Sequence, residues 1–382
     1  MKLNQSEPSL LVTHCYRAYF PDQVGGLEEA MRQFCFTTIP FGVKSTVFCL
    51  SPNPKPNKIC RPECQVIRRR SWWSPYSCDL GGVDSFLEFT RLARKSNVLH
   101  YQFPWPFADV LHLVARPKIP AVITYHSDIV RQEWLNIAYN PLMWKMLSSM
   151  RFIVATSPVY LRTSPVLSHP LVRDKVRVIP LGIEESSYPK EGDNEIFKRI
   201  GIEANDPYFL FIGVLRYYKG LHFLIQAAKS VRAPVVIVGL GKEGLRLQAL
   251  AAQVKADNVV FAGYVKDAEK AALLKRCRAL VLPSHLRSEA FGMVLVEAAM
   301  FGRPMISCEI GTGTSFVNAH DETGLVVAPE SPEELAQAMN TLLADDKLAA
   351  QMGSAARARY EQFFSGPALG RAYAKLYREA AG

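Results

Sequence analysis

Short apolar runs recur along the chain, each closed by polar, Gly or Pro residues and each followed by a stretch with helical spacing of apolar positions. In the first half they fall at residues 10–15, 43–50, 98–102, 121–125, 152–156 and 176–179. In the second half they fall at 208–213, 235–238, 259–261, 279–282, 305–307 and 323–327. Runs of this kind read as strands buried on both faces, as in parallel sheets covered by helices. Strand alternating with helix predicts a doubly wound α/β architecture. The pattern pauses over the polar residues 184–193, which separate a domain at 1–186 from a second at 187–366.

Length and composition agree with two cores: 382 residues, 49% of them hydrophobic. No apolar run approaches the ~20 residues that span a bilayer, and the first fifteen residues lack the apolar stretch of a signal peptide. The eight Cys have no partner His or second Cys pair at zinc-ligand spacing and are expected as thiols. Charge changes the picture more. Residues 1–180 hold 22 Lys+Arg and 12 Asp+Glu, hence 22 − 12 = +10, whereas residues 181–382 hold 23 of each. The whole excess lies in the N-terminal half and implies an anionic partner there. Arg68-Arg69-Arg70 beside Trp72, Trp73 and Tyr76 suits either a membrane-surface contact or a strand end followed by packed tryptophans.

The densest chemistry is in residues 279–304, ALVLPSHLRSEAFGMVLVEAAMFGRP. A strand ends at Pro283, a polar loop follows, and residues 290–301 read as a helix stopped by Gly302 and Pro304. A helix starting at the carboxyl edge of a parallel sheet turns its free amides and positive dipole end outward, a setting suited to a diphosphate. Glu289 and Glu297 bracket that start. With Glu289 in the loop and Glu297 on the helix, both carboxylates reach one extended ligand from different sides. Carboxylates accept hydrogen bonds without donating, so they suit neutral hydroxyls rather than phosphate. An isolated pair would be two solvated acids, but Val294, Leu295, Val296, Ala298 and Ala299 make the helix apolar nearly all round, where an acid needs a partner or a task. A diphosphate flanked by hydroxyl-rich groups is a nucleotide sugar.

The segment S-E-A-F-G-x-x-x-x-E-A resembles the signature of retaining glycosyltransferases of family 4. The resemblance implies the GT-B fold: two Rossmann-like α/β/α domains facing across a cleft, with a final helix, residues 367–382, crossing back to the first domain. It places Glu289 at the donor sugar, Glu297 at the ribose, and Ala290, Phe291 and Gly292 at the diphosphate. Gly25-Gly26, in P-D-x-x-G-G-x-E, form an ordinary turn or a close backbone approach to a ligand, and resemble the family's N-terminal glycine motif near donor phosphates and acceptor. His126, ending a strand in T-Y-H-S-D, resembles the family's active-site His. Arg216 and Lys219 in V-L-R-Y-Y-K-G are placed to neutralise a diphosphate and resemble the family's Arg…Lys-Gly motif, although Val214-Leu215 separate Arg216 from Gly213. His14, Tyr16, His100 and Tyr101 are acceptor-side candidates at similar strand ends. The G-L-G-K-E-G at 239–244 also matches a dinucleotide fingerprint. That reading needs an acid closing the next strand, which ends instead in Ala262-Gly263. The resemblance to the glycosyltransferase family implies instead a tight turn near the nucleotide, with Gly239 in it. The loop G-T-G-T-S at 311–315 supplies amides to the ligand or makes a plain turn.

The expected activity is transfer of a hexose with retained configuration, catalysed by Glu289, His126, Arg216 and Lys219, without metal or cofactor. V-L-R-Y-Y-K-G and S-H-x-R-S-E-A-F-G look most like bacterial enzymes moving mannose or D-rhamnose from a GDP-sugar in O-antigen or exopolysaccharide assembly. The resemblance thus implies a nucleotide sugar and a polyprenyl-diphosphate-linked saccharide as partners, and a cytoplasmic protein held peripherally on the anionic inner membrane. Nucleic acid is not expected, since no recognition motif accompanies the charge. The competing expectations are a sugar-nucleotide epimerase or hydrolase on the same fold, and a non-catalytic nucleotide-sugar-binding subunit of a membrane complex.

Overall fold

In a computed structural model, residues 9–23, 25–74, 78–128 and 133–382 are described. Contacts divide the chain into two units, Met1–Leu181 with Gly366–Gly382, and Gly182–Ser365. The division precedes the boundary expected at 186/187, because residues after 181 join the second unit. Ile183 bridges to Ser365, and its N–H donates to the Phe364 carbonyl at 2.8 Å.

The strands of the first unit are β1 (Leu10–Cys15), β2 (Val43–Ser51), β3 (Lys58–Cys60), β4 (Gln65–Trp73), β5 (Leu80–Gly81), β6 (Val98–Phe103), β7 (Ala121–Tyr125), β8 (Phe152–Ala155) and β9 (Val176–Val178). The sheet order is β3-β4-β2-β1-β6-β7-β8-β9, with β5 on β4. Pairing is parallel except for β3 and β5, both antiparallel to β4. Strands β6, β7 and β8 are buried at every position, and the polar residues among them, His100, Gln102 and Thr124, are hydrogen-bonded inside the core. The helix Gly366–Ala381 belongs to this unit. Its buried residues Leu369, Tyr373, Leu376, Tyr377 and Ala380 recur at helical spacing. A Cβ at Gly370 would stand 2.0 Å from the Thr37 carbonyl, so glycine lets this helix close onto the helix Gly26–Thr38.

Strands β3 to β5 lie outside the apolar runs of the sequence, where the basic triplet suits at most a strand end. Polar Gln65 and the three arginines hide β4, and the fold neutralises two of the arginines individually. Arg68 is buried, with its guanidinium 2.8 and 2.9 Å from the two carboxylate oxygens of Asp22. Arg69 pairs with Glu88 at 2.6 Å. Only Arg70 is exposed, together with Trp72 and Trp73, while Tyr76 lies outside the described residues. The triplet therefore does not present three charges to a surface, and the tryptophans are not packed.

The second unit contains β10 (Phe209–Ile212), β11 (Val235–Val238), β12 (Val259–Gly263), β13 (Ala279–Leu282), β14 (Met305–Cys308) and β15 (Gly324–Val327), all parallel, in the order β12-β11-β10-β13-β14-β15. In order of appearance this is 3-2-1-4-5-6, the doubly wound arrangement whose ligand crevice opens where the order reverses, beyond the ends of β10 and β13. The helix expected over 290–301 is shorter, Met293–Met300. Gly292 at φ +81° lies in the left-handed region and starts the helix there, leaving Ala290 and Phe291 in the loop. All eight cysteines are free thiols.

Candidate functional site

Two loops frame the crevice of the second unit. The loop after β10 runs from Gly213 to Lys219 and ends at Gly220, whose φ is +68°. A Cβ at Gly220 would lie 1.9 Å from the Pro283 carbonyl, so the loops after β10 and β13 touch backbone to backbone only because this residue is glycine. His285 locks them together. Its backbone N–H donates to the Tyr218 carbonyl at 3.1 Å, and its ring reaches the Tyr217 carbonyl at 3.1 Å and Glu330 at 2.9 Å.

That contact brings Lys219 onto Glu289, and the two form an ion pair. Ser284 Oγ donates to the same carboxylate at 3.1 Å. The Glu289 carbonyl accepts from Thr312 Oγ1 at 2.8 Å, and the Ala290 carbonyl accepts from the Gly313 N–H at 2.8 Å. The loop at 311–315 thus buttresses the Glu289 loop. Burial opposes the charge of Lys219, but the Glu289 carboxylate outweighs it and holds the ammonium pKa above its ordinary value. Arg216 is exposed at the mouth of the same loop and carries no ion pair among the described residues. Phe291 is buried, with its ring edge-on to Phe364. Gly292 precedes the helix Met293–Met300, whose first-turn amides have no partner within the helix.

Glu297 sits on that helix in a network of its own. Tyr188 Oη donates to its carboxylate, and Lys270 Nζ lies 3.3 Å away. Gly239 has a packing role: a Cβ there would stand 2.0 Å from the Gly213 carbonyl, so the G-L-G turn after β11 holds the start of the β10 loop.

In the first unit His126 directly follows β7. Its Nε2 is 2.8 Å from Gln102 Oε1, an acceptor, so Nε2 carries the proton and Nδ1 is left as an acceptor. Burial lowers its pKa to about 3, keeping the ring neutral. Gly25 caps the helix Gly26–Thr38 in extended conformation, and a Cβ on it would lie 2.6 Å from Glu28 Oε2. Nothing lies within 4 Å of a Cβ built on Gly26. Glu28, quoted in the glycine motif but not chosen from sequence, is buried with Oε1 unpartnered among the described residues, and burial raises its carboxyl pKa. His14, Tyr16, His100 and Tyr101 do not form an acceptor face. All four are buried; His100 bonds Thr124 and Tyr377, and Tyr101 bonds His112. Sequence also passed over Ser284, which stands five residues before Glu289 and reads only as the end of a strand, and Thr312, Tyr188 and Lys270, which lie 23 or more residues from the carboxylate-bearing residue they meet and are tied to it by no spacing rule.

Residues 24–187 match the family described as Glycosyltransferase Family 4, and residues 192–359 match Glycosyl transferases group 1. The chain is 44% identical to the D-rhamnosyltransferase WbpZ of Pseudomonas aeruginosa, over 93% of this chain and 92% of that protein. The chain belongs to glycosyltransferase family 4. This glycosyltransferase is also 39% identical to the O-antigen chain mannosyltransferase C of Escherichia coli, over 96% of this chain and 97% of the relative. Its fold is GT-B, two Rossmann-like domains. Sucrose-phosphate synthase from Thermosynechococcus elongatus superposes with a TM-score of 0.77 at 21% identity, covering 97% of this chain and 98% of that one. Anabaena HepE in complex with UDP-glucose gives 0.75 at 18% identity, covering 97% and 100%.

Proposed function

We propose that this glycosyltransferase moves mannose or D-rhamnose from a GDP-sugar onto a polyprenyl-diphosphate-linked saccharide, with retention of configuration, in bacterial O-antigen synthesis. The observation that carries the reading is the Lys219–Glu289 pair at the point where the β10 and β13 loops diverge. The two relatives, a D-rhamnosyltransferase and an O-antigen mannosyltransferase, support the sugar and the product class.

Lys219, Arg216 and the amides from Phe291 and Gly292 onward neutralise the diphosphate, a task that needs no metal. Glu289 accepts from hydroxyls of the donor sugar and keeps Lys219 oriented, while Glu297 accepts from the ribose. Ala290 and Gly239 shape the loops around the nucleotide, and Gly25 and Gly26 allow close approach in the first domain. The neutral His126 offers Nδ1 to a sugar hydroxyl and orients the ring. The bond from the anomeric carbon to the diphosphate oxygen breaks as the acceptor hydroxyl oxygen bonds the same carbon on the same face. The hydroxyl proton passes to the departing diphosphate. Attachment to the cytoplasmic face of an anionic inner membrane accords with the charge of the N-terminal half. A cavity of about 670 Å³ at the amino edge of β7 to β9, lined by Lys118, Arg151, Lys175 and Arg177, is a basic surface for that contact. No helix among the described residues is long and apolar enough to cross a membrane.

The test is nucleoside diphosphate release from a panel of nucleotide sugars, with and without a lipid-diphosphate saccharide. Acceptor-dependent release from a GDP-sugar, reduced by about 10²–10³ in kcat in Lys219→Ala and Glu289→Ala, is expected. Release that ignores the acceptor would indicate an epimerase or hydrolase, and tight binding without release a non-catalytic subunit.

A further inference from the structure

The end of β4 has a feature the site above leaves unused. Trp72 and Trp73 are each 67% exposed, although an indole offers large apolar area that folding ordinarily covers. Neighbouring strand residues normally point to opposite faces. Here the pairing of β4 with β5 shifts register between Ser71 and Trp73, an irregularity that re-aims the strand end. Gly82 makes room for the first indole, since a Cβ there would lie 2.8 Å from Trp72 Nε1. One indole face is taken by Arg70, whose guanidinium carbon is 4.9 Å from the ring centroid of Trp72.

Both tryptophans line a cavity of about 390 Å³ with Arg17, Ser71, Asp22 and Asp79. That size falls in the range of small-ligand sites. Its polar groups are fixed: Arg17 pairs with Asp79 at 3.3 Å, and Ser71 Oγ donates to the other Asp79 oxygen at 2.9 Å. Trp105 Nε1 donates to the Asp79 carbonyl at 2.9 Å. Charge is balanced, because Asp79 answers Arg17 and Asp22 answers the buried Arg68. The cavity stands beyond the carboxyl ends of β1, β2 and β4, the edge where α/β sheets take ligands.

We propose that this cavity binds a neutral pyranose ring of the acceptor saccharide, with Trp72 and Trp73 as the stacking platform. The C–H face of a pyranose carries slight positive charge and matches the negative face of an indole. Its rim of vicinal hydroxyls both donates and accepts, matching a guanidinium beside a carboxylate. A balanced site disfavours phosphate. It also gives an anionic lipid surface little to hold, since Arg68 and Arg69 are consumed by internal carboxylates and, of the basic triplet, only Arg70 is left exposed, stacked on Trp72. The proposal rests on the glycosyltransferase reading for the identity of the saccharide as acceptor, but binding itself can be measured without turnover.

Full-length protein and the variants Trp72→Ala, Trp73→Ala and Trp72→Phe would be titrated with soluble glycans ending in mannose, rhamnose, glucose or N-acetylglucosamine, reading intrinsic fluorescence. Acceptor and donor KM would be measured alongside. Expected are saturable quenching in the wild type, a rise of about tenfold or more in acceptor KM in each Ala variant with donor KM moved less than twofold, and most of the affinity kept in Trp72→Phe. Absence of quenching by every glycan, or unchanged acceptor KM in both Ala variants, would overturn the proposal. So would loss of binding to phosphatidylglycerol vesicles at unchanged acceptor KM, which would make the tryptophans a membrane anchor. Glycan quenching that depends on Trp72, in a protein that turns over no donor, would sink the transferase reading and leave the saccharide site standing.

Discussion

At the scale of single residues, burial decides which chemistry-bearing side chains are available. His14, His100, Glu289 and Lys219 all stand beside strand ends in the sequence, yet the first two are core and the last two form a charged pair. Both ring nitrogens of His14 lack partners among the described residues, and burial lowers its pKa to about 3. The unfolded chain takes up this proton near pH 6.5. Between pH 6.5 and about 3 the unfolded state therefore holds more protons, and stability falls as pH drops, by up to about 1.4 kcal/mol per pH unit for this one group. His14→Leu, similar in volume and with no bond to lose, should be neutral or stabilising at pH 7 and should flatten the loss measured by urea unfolding between pH 7 and pH 5. The Glu289 and Lys219 motifs were legible in the sequence because spacing around a strand end and a helix start is local information. That they pair with each other, with Ser284 and Thr312 in support, was not legible, since the contact joins loops 70 residues apart.

At the scale of elements, glycines set how closely loops and helices approach. Gly220→Ala would add a Cβ at 1.9 Å from the Pro283 carbonyl in a left-handed conformation. It should lower stability by about 1–3 kcal/mol, read as calorimetric Tm, and raise the donor KM by displacing Lys219. The apolar runs announced the buried parallel strands with boundaries close to those observed, because a strand covered on both faces admits few polar residues. β4 escaped that reading because its arginines are tolerated only where Asp22 and Glu88, from other elements, meet them. The helix over 290–301 was read too long because apolar composition continues through Phe291, while the left-handed Gly292 decides where the helix begins.

At the scale of the whole molecule, the chain's last helix completes the first unit. Tyr373 and Tyr377 bond Thr124 and His100, and Gly370 packs on the backbone of Thr37. Truncation after Ser365 should uncover this face and make Met1–Leu181 the first region cut in limited proteolysis, while Gly182–Ser365 persists as a protected fragment. Tyr377→Phe, which leaves the buried His100 Nδ1 unpaired, should cost about 1–3 kcal/mol in the same unit. By itself the sequence determined the two-domain α/β architecture, the family, and the motif residues of the loops after β10 and β13, because periodicity, turn residues and helix-start spacing act over a few residues. The tertiary structure alone decided which carboxylate holds which cation, which histidines are core, and that two tryptophans stand exposed beside a fixed Arg–Asp pair. Those outcomes depend on burial and on contacts between segments far apart in the chain, and no local pattern encodes the free energy of removing a particular side chain from water.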